Sequence, residues 1–149
     1  MTGPARGTAD AGTRAAVLGY LEALNVGDPD AIAARVTEDF DNEHTSVRGR
    51  RVVGRAAYRA ALPGFLSAFA GLRYETEELI VEGDRAALGY RMTARMRVDD
   101  REVPITVRGM FRFRVRDGLV AHRVDYWDGE QVTAQLTAAG DGQYASDPS

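Results

Sequence analysis

Two side chains of this sequence suit proton transfer, and both lie in alternating segments. Asp125 falls within 119–127, where a period of two places it on one face with Arg123 and Trp127. His44 ends a shorter segment in which Phe40, Asn42 and His44 share a face. An unperturbed imidazole titrates near ~6.5, so a histidine can take and return a proton at neutral pH. A carboxylate among aromatic neighbours is partly desolvated, which suits it to acid–base work. Each also has an ordinary role open to it: His44 as a strand-end group in solvent, Asp125 as the ion-pair partner of Arg123. Tyr20, spaced with Val17 and Leu24 on one helical face, offers a hydroxyl either to a ligand or to the core.

Other chemistries find little support. The absence of cysteine removes thiolate nucleophiles, disulfides and thiolate metal sites together. The histidines, His44 and His122, stand in different segments without close ligand spacing, so no metal centre is expected. No nucleophile or cofactor motif stands out, and no cofactor is expected. The net charge of -3, with all 19 basic residues arginine, does not suggest a nucleic-acid partner. No apolar run approaches the roughly 18 residues of a membrane span, and no signal peptide is visible. The expected location is therefore cytoplasmic.

The elements that must position these groups are legible from periodicity. A length of 149 residues suits one domain, expected over 9–137, with mobile tails at 1–8 and 138–149. Helical spacing predicts a first helix over 9–25, broken at Asn25-Val26-Gly27. Asp28 is a candidate N-cap and Pro29 the first residue of a short second helix, with Ile32 and Val36 buried. Gly54 opens a third helix carrying Tyr58, Leu62, Phe65, Leu66 and Phe69, which Pro63 should kink or interrupt. Strands are expected over 72–82, 86–98, 103–115 and 119–127, separated by Glu82-Gly83-Asp84, Asp99-Asp100 and Arg116-Asp117-Gly118. A short helix over 130–136 closes the domain. Helices followed by a long meander argue an α+β fold. In the third long strand, Val107, Gly109, Phe111, Phe113 and Val115 alternate with an arginine row that reads as a solvated face.

The segments Tyr20-Leu21-Glu22-Ala23-Leu24-Asn25-Val26-Gly27-Asp28, the Gly54 helix, Phe111-Arg112-Phe113, and Asp117-Gly118 leading into Asp125-Tyr126-Trp127-Asp128 together resemble the nuclear-transport-factor-2-like superfamily. That group includes SnoaL-like polyketide cyclases, ketosteroid isomerases and limonene epoxide hydrolases. The resemblance covers nearly all of 13–136. It implies a cone-shaped, curved antiparallel sheet packed against N-terminal helices around an apolar cavity. It also implies a homodimer through the outer sheet face, consistent with apolar residues on both faces of 119–127: Val120, Val124 and Tyr126 on one, Leu119, Ala121 and Trp127 on the other.

The resemblance assigns roles as well. Tyr20 matches a tyrosine that donates to an oxyanion in the isomerases, and His44 falls where those enzymes carry an aspartate base. Asn42 matches an asparagine that helps hold water in the epoxide hydrolases. Asp125 stands where epoxide hydrolases and cyclases use an acid. Phe65, Tyr90, Met92, Phe111, Arg123 and Trp127 would complete a substrate-binding wall. Departures are equally plain: Gly109 replaces the isomerases' second oxyanion acid, while Phe40 and Arg91-Met92-Thr93 replace the hydrolases' tyrosine and Arg-x-Asp pair. Alternation allows Arg91 to point away from the cavity. The implied function is cyclisation or isomerisation of an apolar, polyketide- or terpenoid-like molecule by general acid–base catalysis. Epoxide hydrolysis and non-catalytic ligand binding are the alternatives.

Overall fold

In the computed structural model the described residues are 2–146, with side-chain surroundings for 7–140. The elements in chain order are α1 (Thr2–Val26), α2 (Pro29–Ala33), β1 (Val36–His44), β2 (Val52–Val53), α3 (Arg55–Ala68), β3 (Phe69–Glu82), β4 (Arg85–Val98), β5 (Arg101–Arg116), β6 (Leu119–Trp127) and α4 (Glu130–Ser146). The six strands form one curved, unclosed sheet in the order β2-β1-β6-β5-β4-β3. None of the helices is long and apolar enough to cross a membrane, among the described residues.

The long strands follow the alternation of the sequence. On β5, Val103, Ile105, Val107, Phe111, Phe113 and Val115 are buried, while Arg108, Arg112, Arg114 and Arg116 are exposed. Three of those arginines pair with acids, Arg108 with Glu77, Arg114 with Asp84 and Arg116 with Asp39. The arginine row is thus a face of exposed ion pairs, each worth little to stability. The two-residue loops Asp99-Asp100 and Asp117-Gly118 join antiparallel partners, and Asp117 and Gly118 both take positive φ, 53° and 76°, as a tight hairpin turn requires.

Several expectations are corrected. The sheet is mixed, because β1 runs parallel to β6 while the other pairs are antiparallel. This parallel pair sets His44 beside Asp125 and Asn42 beside Arg123. Val36 belongs to β1 rather than α2: the Arg35 carbonyl already accepts from Val120 N–H at 2.9 Å, which ends the helix. The short strand β2 had no legible signal of its own. α3 runs on through Pro63, which lies on its exposed side, where water can reach the carbonyl it releases. Helix also extends into the segments expected as tails, over Thr2–Thr8 and Ala138–Ser146, while Met1 and 147–149 lie outside the described residues.

The faces of β6 differ as well. Val115 pairs with Val120 but Arg114 pairs with His122, so Ala121 is an extra residue in the strand. The bulge reverses the alternation. Val120 joins the core, while Val124 keeps the outer face expected for it and is buried outside the core cluster. Arg123, Asp125 and Trp127 keep the inner face predicted for them.

Polar clasps hold the helices on the sheet. Asp10 and Thr13 of α1 bind the backbone of Gly83 in the β3–β4 turn, both at 2.6 Å. Asn25 closes a two-bond clasp on the backbone of Tyr74, at 2.7 and 3.0 Å. On α4, Gln131 and Gln135 bind the backbone of Arg108 and Thr106 with both ends of their amides. These amides substitute for a neighbouring strand where β6 no longer pairs with β5.

Candidate active site

The concave face of the sheet, α3 and α4 enclose a cavity of about 880 Å³. Leu62, Phe65, Phe69, Met92, Met96 and Val107 form its apolar walls. Its polar end is built on β1, β6 and β4. Asp125 Oδ2 lies 3.4 Å from His44 Nδ1, and Asp125 Oδ1 accepts a 2.6 Å bond from the Tyr90 hydroxyl. The Trp127 indole N–H donates to His44 Nδ1 at 3.3 Å. Beside this group, Arg123 Nε donates to Asn42 Oδ1 at 2.9 Å.

Most of the residues expected at the site meet here: Asn42, His44, Phe65, Tyr90, Met92, Arg123, Asp125 and Trp127 all line the cavity. Tyr20 and Phe111 do not. Tyr20 is wholly buried, and its hydroxyl is spent on that of Tyr58, 2.6 Å away. Tyr58, on α3, is the residue of this pair that reaches the cavity. Phe111 lies behind the wall, packed against Tyr90 at 4.5 Å and under the Arg123 guanidinium at 4.8 Å. Arg91 is exposed on the outer face and takes no part.

Two hydroxyls were missed. Spacing places Tyr58 on the third helix without a role at the site, and Tyr74 was not singled out, although Leu72 and Tyr74 alternate inward at the start of β3. The Tyr74 hydroxyl has no hydrogen-bond partner among the described residues. Since no buried side-chain polar atom there lacks one, it must be open, and its side chain lines the cavity. Burial first, then the nearby Asp125 carboxylate, push the hydroxyls of Tyr74 and Tyr90 well above the usual tyrosine range. Burial likewise raises Tyr58. All three remain protonated donors.

The two neighbours of His44 Nδ1 ask for opposite tautomers. With its proton on Nδ1, the ring donates to Asp125 and leaves the Nε2 lone pair free as a base. With the proton on Nε2, Nδ1 accepts from Trp127 and Nε2 becomes a donor. Nε2 has no partner among the described residues and is open by the same reasoning as the Tyr74 hydroxyl. The plain Arg123–Asp125 ion pair is not formed; each residue has other partners.

Two glycines make room for this arrangement. A Cβ on Gly49 would lie 2.2 Å from that of His44, so the 45–51 loop can press on the imidazole only without a side chain there. A Cβ on Gly109 would meet the Tyr90 hydroxyl at 2.5 Å and the Tyr126 carbonyl at 2.8 Å. Gly109 therefore gives Tyr90 its path to Asp125. Gly109→Ala is expected to lower stability by about 1–3 kcal/mol through overpacking, read by urea denaturation. An unchanged midpoint would show that Tyr90 is not held against this strand.

One further cluster, Asp41, Glu43 and His122, has its ligand atoms within 4.8 Å of one another. Alternation puts it on the outer face, where Asp41 pairs with Arg51 and Glu43 with His122.

The SnoaL-like domain profile matches residues 17–123. The chain belongs to the SnoaL-like domain family. Solved structures agree with this SnoaL-like domain in having the nuclear-transport-factor-2-like cone. A candidate SnoaL-like polyketide cyclase from Shewanella denitrificans is 15% identical over 85% of this chain and 97% of its own, with a TM-score of 0.76. A candidate polyketide cyclase from Xanthomonas campestris is 25% identical over 86% and 98%, with a TM-score of 0.72. A candidate ketosteroid isomerase from Kribbella flavida is 25% identical over 79% and 78%, with a TM-score of 0.65. None of the curated proteins matches the chain. The family and these neighbours support a small-molecule cyclase or isomerase class.

Proposed function

We propose that this SnoaL-like domain is an enzyme that cyclises or isomerises an apolar carbonyl compound by general acid–base catalysis. The observation that carries the reading is the His44–Asp125 pair, 3.4 Å apart at the polar end of an apolar cavity. His44 Nε2 takes a proton from the carbon beside the substrate carbonyl, and the C–H electron pair moves onto the carbonyl oxygen. The Asp125 carboxylate balances the imidazolium charge. The hydroxyls of Tyr58 and Tyr74, and Asn42 Nδ2, donate to the enolate oxygen. Asn42 is suited to this because Arg123 occupies its Oδ1 and so fixes which end of the amide donates. The enolate carbon then attacks a second carbonyl of the same substrate, or the proton returns at another carbon. The Asp125–His44 pair delivers that proton.

The test is α-proton exchange in D2O, followed by NMR, with 2-tetralone and a linear 1,3-diketone as probes. Exchange faster than in buffer, lost on Asp125→Asn, supports the reading. Ligand binding with exchange at the buffer rate would instead favour a non-catalytic binding domain.

The same proposal includes a homodimer. Met110 and Tyr126 are paired across β5 and β6 on the outer face, 40% and 42% exposed. Sedimentation equilibrium should give twice the chain mass, and Tyr126→Asp should halve it; a wild-type monomer contradicts the assembly.

A further inference from the structure

The cavity lining holds one buried cation, Arg123, that neither takes nor gives the proton. A guanidinium stays charged at any ordinary pH, so burying it is costly unless an anion or a full set of acceptors replaces its water. Arg123 is only 5% exposed, yet it forms no ion pair among the described residues. Its Nε is bonded to Asn42, and its plane lies near the rings of Phe111 and Tyr20, at 4.8 and 5.7 Å. Neither terminal nitrogen has a hydrogen-bond partner among the described residues. Because no buried polar side-chain atom there goes unpaired, both nitrogens must be open, and the space that Arg123 lines is the cavity.

The rim of the cavity carries the same sign. Arg48, Arg50 and Arg51 line it at exposed positions, and Asp125 is the lone carboxylate of the lining among the described residues. Arg51 is paired with Asp41 and Arg48 is bonded to Thr133, while Arg50 has no partner among the described residues. A chain of net charge -3 thus sets three arginines along one stretch of its cavity rim, of which Arg48 and Arg50 are not in an ion pair among the described residues. Such a mouth raises the encounter rate of anions.

We propose that the cavity takes an organic acid: an apolar skeleton bearing a delocalised oxyanion of the carboxylate type, held by the two terminal nitrogens of Arg123. The planar fork of a guanidinium matches two oxygens at once, which an ammonium group does not. Arg123 is then a ligand-binding residue that anchors the acid, while His44 and Asp125 face the carbon framework. The inference rests on the cavity being the ligand site of the proposed function, but not on any proton moving there.

The test uses a matched pair, 4-cyclohexylbutanoate and the neutral 4-cyclohexylbutanamide. Binding is followed by calorimetry and by the fluorescence of Trp127, the single tryptophan of the chain and part of the lining. The acid should bind at least about tenfold more tightly than the amide, as a charge-assisted bidentate contact would give. Arg123→Met should abolish that preference, and Arg123→Lys should retain part of it. Asp125→Asn should leave it in place, so a failure of the catalytic reading would not resemble a failure of this one. Equal affinity for acid and amide, no binding of the acid, or a preference that survives Arg123→Met would each overturn the assignment.

Discussion

Asp125→Asn is expected to slow α-proton exchange by about 10²–10⁴-fold while leaving the protein folded. The asparagine keeps the shape of the side chain and an oxygen to accept from Tyr90, so the buried hydroxyl at 2.6 Å does not lose its partner. What it loses is charge. An imidazole that takes a proton beside a neutral amide has no anion to offset it, 3.4 Å away where both side chains are largely buried. NMR exchange rates, with urea denaturation as the control for folding, check the prediction. A rate within about threefold of wild type would remove Asp125 from the chemistry.

Phe111→Ala should be the most damaging substitution to stability, at about 3–5 kcal/mol. Phe111 is fully buried, and its ring packs against Tyr74, Tyr90 and Phe113 at centroid distances of 5.3, 4.5 and 5.5 Å. It also carries the Arg123 guanidinium on its face. Deleting the ring opens a void under the donor to Asp125 and under the buried cation together, so the site should loosen with the core. The urea midpoint should fall with little change in slope. Phe111→Leu, which refills most of the volume, should recover much of the loss. A small effect of Phe111→Ala would mean that the surrounding aromatic residues can collapse into the space.

The fold was largely legible because its strands are long and half-buried, so alternation reports their faces residue by residue. The same alternation placed Asp125, Arg123 and Trp127 on one face and Asn42 and His44 on another. It could not show that β1 lies beside β6 and runs parallel to it, since that depends on pairing between residues some 80 apart. Bulges mark where the reading failed. At Ala121 the phase slips by one residue, which turns Val120 into the core while Val124 stays on the outer face. Register shifts in β3, between Ala70 and Arg73 and between Thr76 and Glu78, likewise interrupt the pattern on either side of Tyr74. Tyr20 was misplaced for a different reason: helical spacing identifies the inner side of α1 but not how far a hydroxyl reaches, and Tyr58 stands between it and the cavity. The loss of the isomerases' acid at Gly109 also has a physical counterpart, because the Tyr90 side chain crosses over that backbone on its way to Asp125.

If His44 and Asp125 act as one proton-transfer unit, a double-mutant cycle on the exchange rate will show it. Groups that act together lose most of their effect with the first substitution. His44→Gln combined with Asp125→Asn should be about as slow as the slower single variant. Losses that multiply would show two independent contributions, and would contradict the pair.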